Sequence, residues 1–507
     1  MGLYFKARKV DLEMGDGLHV LLNNELTEKE GIKEGQKVLI SYRDIELYVD
    51  VIQTDTKVAK DEIGLSFEIW SRYSIPNGDR VYVSMFGRPD SIDYIKKKLM
   101  GSKLSKDEIY VITKEISERK IRDIEVAYFM ACFFNPGFDD SEVVDIAQGM
   151  AHAGDILDFK NSGKNSDMKG AFVVDKHSIG GIPAKGVTPL LVPIISAAGL
   201  LIPNTSTRAI TSPAGTSDIL ETVMPIALSN EKVVEVVKKT NGCMIWGGAL
   251  KLAPADDVMI SVEKALHVQS YNKLVASIVA KKIAMGIDKI LIDIPYGPSA
   301  KVKSPEDAEM LSEKFIKIFD SVGIESFPYT RFVMGPDGRG IGPVLEMRDI
   351  LHVLERNSER PHDLERTALE MTGKLLEISG KSAEGRGYDT AYGFVESGRA
   401  LEKFWEIAFE QGAKKRVKAA DMKPGNFSEK IRADRGGKIK SIDNTEVVKI
   451  TRSLGNPLIK EAGIYFEKFM GDEVSKGDTI LELFSVSQKR LELGIEEVDL
   501  KKLVTFE

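Results

Sequence analysis

Residues 174–188 read Val-Asp-Lys-His-Ser-Ile-Gly-Gly-Ile-Pro-Ala-Lys-Gly-Val-Thr, and this stretch decides how the centre of the chain folds. The apolar run Ala171-Phe-Val-Val174 leads into it and predicts a short buried strand. Pro189 then opens an apolar helical pattern, and Thr188 is of a residue type that caps helix N-termini. The stretch therefore predicts a strand, a glycine-rich turn and a helix in that order.

The turn has the chemistry of an anion-binding loop. Gly180 and Gly181 lack a Cβ, so backbone N–H groups can approach an anion closely. The positive end of the following helix would point at the same place. Lys176, Ser178 and Thr188 add one positive charge and two hydroxyl groups. The glycines alone fit an ordinary strand-to-helix turn equally well, so the interpretation needs a second signal.

A second, hydroxyl-rich segment supplies that signal. Residues 206–216 read Ser-Thr-Arg-Ala-Ile-Thr-Ser-Pro-Ala-Gly-Thr and carry five hydroxyl side chains and one arginine. They also precede a predicted helix. Two anion-type turns after neighbouring strands indicate two phosphate groups, or a phosphate and a sugar phosphate.

Strands and helices alternate in the central region, which we assign to residues 166–425. Further strands are predicted at Met244–Trp246 and Lys289–Ile294, and Ser304 followed by Pro305 opens a helix. Alternation of this kind is typical of a mostly parallel sheet with helices around it. The predicted fold class is α/β for the centre, joined to all-α and β domains.

The flanking regions follow other patterns. Residues 1–86 contain short strand-like runs and predict a β-rich domain. Residues 87–165 show helical periodicity, with a capping box that starts at Ser105, and predict a helical domain. Residues 257–285 are predicted to be helical and to pack back on that domain, and residues 426–507 predict a second β domain.

Composition excludes several classes of protein. The 507-residue chain has 77 acidic and 70 basic residues, which argues against a nucleic-acid-binding surface. Its two cysteines, Cys132 and Cys243, are too far apart in sequence for a zinc motif or a disulfide framework. There is no signal-peptide core and no apolar run near the ~18 residues of a membrane span, which predicts a cytoplasmic protein.

The order of these motifs resembles the thymidine phosphorylase family. The similar segments are residues 176–181 (Lys-His-Ser-Ile-Gly-Gly), 206–208 (Ser-Thr-Arg), 252–256 (Leu-Ala-Pro-Ala-Asp) and 276–281 (Ala-Ser-Ile-Val-Ala-Lys). The N-terminal β domain and residues 297–301 (Gly-Pro-Ser-Ala-Lys) are similar to the archaeal AMP phosphorylase branch. This resemblance implies a nucleoside phosphorylase type II fold with an added N-terminal β domain and a C-terminal lipoyl-like β-barrel.

The resemblance also implies roles for single residues. Around the attacking phosphate it places Lys176, Ser178, Thr188, Ser206 and Thr216. Around the nucleotide it places Gly181, Thr207, Arg208, Ala209, Ile210, Thr211, Ser212, Thr216, Ser277, Lys281 and Lys301. Within this set, Lys301 is a partner for a 5′-phosphate, and Arg208 could hold either phosphate. His177 is a candidate catalytic residue that would touch the sugar or base, although a lone loop histidine is nearly as often structural.

Two departures from the branch concern catalysis. Where the branch has Gly-Asn-Lys-Thr, residues 184–187 read Ala-Lys-Gly-Val, so the lysine moves by one position and a hydroxyl is lost. The aspartate taken as proton donor to the leaving base is replaced by Gln269, which can hydrogen-bond but cannot deliver a proton. His267 is a candidate replacement, because an imidazolium is a competent acid near neutral pH. Glu263 is a weaker candidate, since helix-surface glutamates are usually just solvated.

The resemblance implies a pentosyltransferase that uses phosphate to split AMP, and also CMP and UMP, into free base and ribose 1,5-bisphosphate. It implies no metal and no organic cofactor, with phosphate as a co-substrate. It also implies a homodimer or larger homo-oligomer that acts on small molecules, away from nucleic acid and membrane. Two alternatives stay open: a thymidine or uridine phosphorylase, and a nucleotide-binding protein whose turnover is lost or altered because of Gln269.

Overall fold

The structure is a computed structural model that describes residues 2–15, 17–160, 172–209, 212–266 and 270–507. The chain forms two compact units. Unit 1 comprises Met1–Gly154 and Ala253–Ala280, and unit 2 comprises Asp155–Leu252 and Lys281–Glu507.

Strands lie near both ends of the chain and in its centre, and helices lie between and around them. The strands are β1 (Gly2–Lys9), β2 (His19–Asn23), β3 (Lys37–Tyr42), β4 (Ile45–Thr54), β5 (Glu62–Leu65), β6 (Arg80–Ser84), β7 (Val174–Ser178), β8 (Ile202–Ser206), β9 (Gly242–Trp246), β10 (Lys289–Tyr296), β11 (Glu325–Phe332), β12 (Gly340–Ile341), β13 (Phe427–Arg432), β14 (Gly437–Ile442), β15 (Gly463–Phe466), β16 (Glu473–Val474), β17 (Thr479–Ser485) and β18 (Val504–Phe506). The helices are α1 (Asn24–Glu30), α2 (Phe67–Arg72), α3 (Ser91–Leu99), α4 (Lys106–Ser117), α5 (Asp123–Ala131), α6 (Asp140–His152), α7 (Val187–Ala197), α8 (Thr216–Leu220), α9 (Asn230–Thr240), α10 (Pro254–Leu266), α11 (Tyr271–Ala284), α12 (Pro305–Asp320), α13 (Pro343–Leu354), α14 (His362–Ile378), α15 (Gly387–Glu396), α16 (Arg399–Gln411), α17 (Asn444–Leu454), α18 (Gln488–Glu496) and α19 (Leu500–Leu503).

In unit 1, the first six strands close into a barrel with the neighbour order β1-β5-β2-β4-β3-β6. Successive side chains of a strand point to opposite faces, so every second residue fills the barrel interior. Val38 and Ile40 of β3 and Val81 and Val83 of β6 are buried in this way. The closed barrel leaves none of these six strands as an unpaired edge.

The helical part of unit 1 packs α10 against α4 and α5. The predicted capping box is confirmed, because the backbone N–H of Glu108 donates to Ser105 Oγ and the N–H of Ser105 donates to the Glu108 carboxylate. On α3, Lys98 forms a buried ion pair with Glu142 of α6, with 2.7 Å between nitrogen and oxygen. These contacts order the helices against which α10, the helix that carries Asp256, packs.

In unit 2, the central strands are parallel, as predicted. One sheet has the order β11-β10-β7, and β8 pairs with β9. A parallel bridge from Val173 to Leu201 joins β7 to β8. Because the carboxyl ends of parallel strands meet at one edge of a sheet, the turns after β7 and β8 lie at the same edge.

Two details of the prediction around residues 174–188 are wrong. Strand β7 runs from Val174 to Ser178 rather than ending at Val174, so Lys176 and His177 lie on the strand and not in a loop. Polar residues concealed this strand, because their burial depends on partners that are distant in sequence. Helix α7 begins at Val187 with Gly186 as its N-cap, so Thr188 lies in the first turn and does not cap the helix.

The C-terminal part of unit 2 contains a sheet of order β12-β15-β17-β13 and a sheet of order β16-β14-β18. Their core includes Val447 of α17, Phe466 and Leu481, all buried. Within the residues that the structure describes, no helix combines the length and apolar character needed to cross a membrane.

Candidate active site

The Gly180–Gly181 turn follows β7 directly and uses backbone angles that favour glycine. The two φ values are +80° and +92°, in the left-handed region. The backbone N–H of Gly180 donates to Ser178 Oγ at 3.2 Å, and the N–H of Ile179 donates to the Asp293 carbonyl at 3.1 Å. These bonds fix the turn at the end of β7.

Two lysine side chains face this turn. A Cβ placed on Gly180 would lie 3.8 Å from Nζ of Lys301 and 3.9 Å from Nζ of Lys185. A Cβ on Gly181 would lie only 2.5 Å from Cγ of Lys301. The second glycine is therefore required for the packing of Lys301, and the first leaves open space beside two ammonium groups.

Lys176 belongs to a buried network of charges at the end of the sheet. Its Nζ lies 3.7 Å from the Asp293 carboxylate, and Asp293 in turn accepts a hydrogen bond from Nε of Arg331 at 2.8 Å. Arg331 also pairs with both carboxylate oxygens of Asp337, at 2.6 and 2.7 Å. Burial lowers the pKa of Lys176, although Asp293 opposes this effect. The network holds a lysine with a perturbed pKa near the turn, which is typical of a functional site.

The surroundings of His177 disfavour its charged form. Burial lowers its pKa well below the usual value for histidine, and four lysines, led by Lys282 and Lys281, lower it further. A neutral imidazole cannot act as a proton donor in the way that an imidazolium can. The direction of this shift disfavours the imidazolium form that proton donation would require.

Asp175 anchors β7 from inside the unit. Lys282 of α11 pairs with it at 2.6 Å, and both side chains are fully buried. Asn204 of β8 donates to the same carboxylate at 2.7 Å. Removal of one partner would leave a buried charge without compensation, so the pair is held firmly. Because Lys176 and His177 lie on the same strand as Asp175, this contact helps to set their position.

Arg208 in the second turn is already neutralised by carboxylates. Its guanidinium donates to both oxygens of Glu221, at 2.6 and 2.8 Å, and lies 3.4 Å from Asp218. It also lies over the Trp246 ring, 4.9 Å from the centroid. The hydrogen bond from Arg208 lowers the pKa of Glu221 to about 2, and Lys460 contributes a second cation at 2.6 Å.

The backbone of the second turn is organised by Asp218 of α8. Its carboxylate accepts hydrogen bonds from the N–H groups of Ala209 and Gly215, at 2.7 and 2.8 Å. A Cβ on Gly215 would lie 2.3 Å from the Thr207 carbonyl oxygen, so only glycine fits there. The carboxylate thus occupies N–H groups of the turn that an anion could otherwise use.

The hydroxyl groups of the second turn make contacts within unit 2. Ser206 Oγ lies 2.8 Å from Ser217 Oγ, and Ser212 Oγ donates to the Ala214 carbonyl at 2.9 Å. Thr216 begins α8 and is buried, as is Thr188 in α7. Ile210 and Thr211, which were also predicted to bind substrate, lie outside the described residues.

A further polar cluster lies within unit 1. Ser277 Oγ of α11 donates to Asp256 at 2.6 Å, and Lys273 pairs with Asp256 at 3.1 Å and with Glu263 at 3.2 Å. Glu263 is thus a partner of a buried lysine rather than a solvated surface group. His267 and Gln269, the candidates for proton transfer to the base, lie outside the described residues.

Sequence reasoning missed the network of Asp293, Arg331 and Asp337. One signal was available, because Asp293 interrupts an otherwise apolar predicted strand at residues 289–294. A charge in a buried strand indicates a partner of opposite charge. For Lys185 the sequence showed only that the lysine of the branch motif is displaced by one position, and not which group its side chain faces.

Family models match three parts of the chain. Residues 170–342 match "Glycosyl transferase family, a/b domain", residues 92–154 match its helical bundle domain, and residues 438–502 match "Pyrimidine nucleoside phosphorylase C-terminal domain". A solved anthranilate phosphoribosyltransferase from Saccharomyces cerevisiae, in complex with PRPP and Mg, has a TM-score of 0.50 at 15% identity. The match covers 64% of this chain and 98% of the phosphoribosyltransferase chain. At this identity the similarity shows a shared fold and nothing about activity. Fold and motifs together define an enzyme of the pentosyltransferase class.

Curated relatives identify the branch. The AMP phosphorylase of Methanocaldococcus jannaschii is 36% identical over 494 residues, which is 97% of this chain and 96% of that protein. The AMP phosphorylase of Pyrococcus furiosus is 37% identical over 490 residues, 97% of this chain and 95% of that protein. The chain belongs to the AMP phosphorylase family, and the resemblance inferred from the motifs is confirmed.

Proposed function

We propose that this chain catalyses the phosphorolysis of nucleoside 5′-monophosphates. AMP, and by resemblance CMP and UMP, would react with inorganic phosphate to give free base and ribose 1,5-bisphosphate. The observation that carries this proposal is the Gly180–Gly181 turn, with the ammonium groups of Lys185 and Lys301 beside it and Lys176 on the preceding strand. A turn of this kind suits a phosphate dianion, and membership of the AMP phosphorylase family supplies the nucleotide.

In the proposed reaction, a phosphate oxygen attacks C1′ of the ribose as the bond from C1′ to the base breaks. The ring gains positive charge in the transition state, and the bound phosphate stabilises that charge while it acts as nucleophile. Lys176 and the turn would hold the phosphate in line with the breaking bond. The electron pair of that bond passes to the base, which then needs a proton or a hydrogen-bond donor.

Lys301 is proposed to bind the 5′-phosphate, and this assignment distinguishes nucleotides from nucleosides. It also disfavours the alternative of a thymidine or uridine phosphorylase, as does the family of the curated relatives. We further propose that phosphate is the sole co-substrate, without metal or organic cofactor. The same resemblance supports a cytoplasmic homodimer or larger homo-oligomer, and a lipoyl-like β-barrel near the C-terminus.

Chromatography of the products tests the proposed function. Purified protein would be incubated with AMP, CMP, UMP and the matching nucleosides, with and without phosphate. We expect free base and ribose 1,5-bisphosphate from the monophosphates, and only when phosphate is present. Release of base at an equal rate in phosphate-free buffer would identify a hydrolase and overturn the proposal.

Gln269 provides a separate test of how the base departs. If proton delivery limits the reaction, Gln269→Asp should raise turnover, because general acid catalysis is worth ~10²–10⁴ in rate. If His267 has taken over this role, Gln269→Asp should change little and His267→Ala should remove activity. The exposed Gln488→Asp is the matched control. Unchanged turnover in Gln269→Asp and in His267→Ala, with AMP still bound, would show that base protonation is not limiting.

A further inference from the structure

Lys185 and Lys301 approach one position from different parts of the chain. Lys185 follows the Gly180–Gly181 turn by a few residues, and Lys301 follows β10. Both Nζ atoms lie within 4 Å of the point where a Cβ on Gly180 would be. One tetrahedral anion beside that point, at non-bonded distance from Gly180, can therefore contact both ammonium groups.

The charge of Lys185 is not taken up by a salt bridge within unit 2. The carboxylate of Glu346 accepts hydrogen bonds from the backbone N–H of Lys185, at 2.6 Å, and from the N–H of Gly342. Among the described residues, no carboxylate oxygen lies within 4.0 Å of the Lys185 ammonium. Burial lowers the pKa of Lys185; Glu346 opposes this effect, and Lys176 adds to it. Grouping cations in this way costs free energy unless an anion joins them.

The backbone around Lys185 is held in an unusual conformation. Ala184 has a φ of +64°, in the left-handed region that disfavours residues with a Cβ. The neighbouring Pro183 carbonyl accepts a hydrogen bond from the Asp337 N–H at 3.1 Å, and Glu346 holds the next N–H. Strain of this kind persists only where the surroundings enforce it, and it is frequent at ligand-binding sites. Here it directs the Lys185 side chain back toward Gly180.

We propose that Lys185 is a substrate-binding residue that, together with Lys301, clamps a phosphoryl group over Gly180. The inference rests on the proposed function and gives Lys185 a direct role in binding a phosphoryl group beside Lys301. The bound group is a phosphate dianion in either case, whether it is the 5′-phosphate of the nucleotide or the attacking inorganic phosphate. If the group is the 5′-phosphate, the affinity for AMP depends on Lys185. If it is the attacking phosphate, the affinity for inorganic phosphate depends on Lys185.

Calorimetric titration of AMP, adenosine and inorganic phosphate, each alone, tests the clamp without requiring turnover. The variants are Lys185→Met, Lys185→Arg and, as a matched control, Lys440→Met, which removes an exposed lysine of β14. We expect Lys185→Met to lower the affinity for one phosphate-bearing ligand by roughly ten- to hundredfold, the range for a lost charge-assisted contact. Lys185→Arg should retain most of the affinity, and Lys440→Met should retain all of it.

The pattern of losses identifies the source of the phosphate. A loss for AMP but not for inorganic phosphate or adenosine assigns the clamp to the 5′-phosphate. A loss for inorganic phosphate assigns it to the co-substrate. Affinities within twofold of the wild type for all three ligands would overturn the inference, and so would a wild-type chain that binds none of them.

Failure of the proposed function would give a different result. A wild-type chain that binds AMP through Lys185 but releases no base would refute phosphorolysis and leave the clamp intact. Thermal unfolding of each variant guards against misfolding. If Lys185→Met does not fold, Lys185→Gln takes its place in the same titrations.

Discussion

The two turns after β7 and β8 have similar composition, but different groups surround their cations in the structure. Beside the first turn, Lys185 and Lys301 point their ammonium groups at the open side of Gly180. In the second turn, Glu221 and Asp218 already bind the guanidinium of Arg208. Glycine, hydroxyl and cation in sequence therefore indicate an anion-type turn, but they do not reveal whether the positive charge is available to a ligand.

Gly181→Ala should have the largest effect on this difference. The substitution forces a Cβ into the left-handed region at φ +92° and to within 2.5 Å of Cγ of Lys301. A displacement of about 1 Å in a binding group can cost on the order of 100-fold in rate, so we expect a loss of that size in kcat/KM for AMP. Steady-state kinetics measure it.

Gly380→Ala is the matched control for this variant. Gly380 has a φ of +71° and nothing within 4 Å of its Cβ position, so the substitution adds backbone strain without a clash. It should lower stability but leave kcat/KM nearly unchanged. Equal kinetic losses in both variants would show that the contact with Lys301 does not matter.

Lys301→Ala should weaken the binding of AMP far more than the binding of adenosine. A charge-assisted contact to an anion is worth about 1.5–3 kcal/mol, or roughly ten- to hundredfold in affinity. Competition binding with the two ligands measures the ratio, and Lys303→Ala, an exposed lysine of the same loop, is the control. An equal loss for AMP and adenosine would remove Lys301 from the 5′-phosphate.

Glu346→Gln should sharpen the description of the first turn through its pH dependence. Burial raises the pKa of Glu346 to about 8, so between about 5 and 8 the folded chain holds a proton that the unfolded chain has lost. The contribution of Glu346 to wild-type stability should therefore fall as pH rises through this window, by at most about 1.4 kcal/mol per pH unit. The glutamine variant should lose this dependence.

Denaturant unfolding at several pH values measures the effect, with exposed Glu429→Gln as the control. The difference in unfolding free energy between Glu346→Gln and the wild type should move in favour of the variant as pH rises to 8. A constant difference would mean that Glu346 is ionised across the whole range.

Arg208→Met should have the smallest effect, and it tests the second turn. The Arg208 side chain is 38% exposed, so its ion pairs are partly screened and worth about 0.2–1 kcal/mol of stability. We expect a loss of this size in thermal or denaturant unfolding, and phosphate and AMP affinities within twofold of the wild type. A tenfold loss of affinity would instead show that ligand binding releases Arg208 from Glu221.

Local patterns predicted the parallel centre, the capping box at Ser105 and the order of the two turns. These features depend on residues that are near in sequence, so periodicity and capping chemistry are enough. Strand β7 was placed too early because Asp175, Lys176 and His177 look like loop residues. Their burial is stabilised by Lys282, which is 107 residues away from Asp175, and by Asp293.

The sequence by itself determined the class of enzyme, because the motifs of both turns stand in an order that resembles the thymidine phosphorylase family, and local chemistry explains why these turns suit anions. Only the tertiary structure decided which cations face the same turn. Lys185 and Lys301 meet at Gly180 from separate loops, whereas Glu221 neutralises Arg208 and is itself paired with Lys460, 239 residues further along the chain. The physical reason is that electrostatic interactions depend on distance in space, which sequence spacing does not encode.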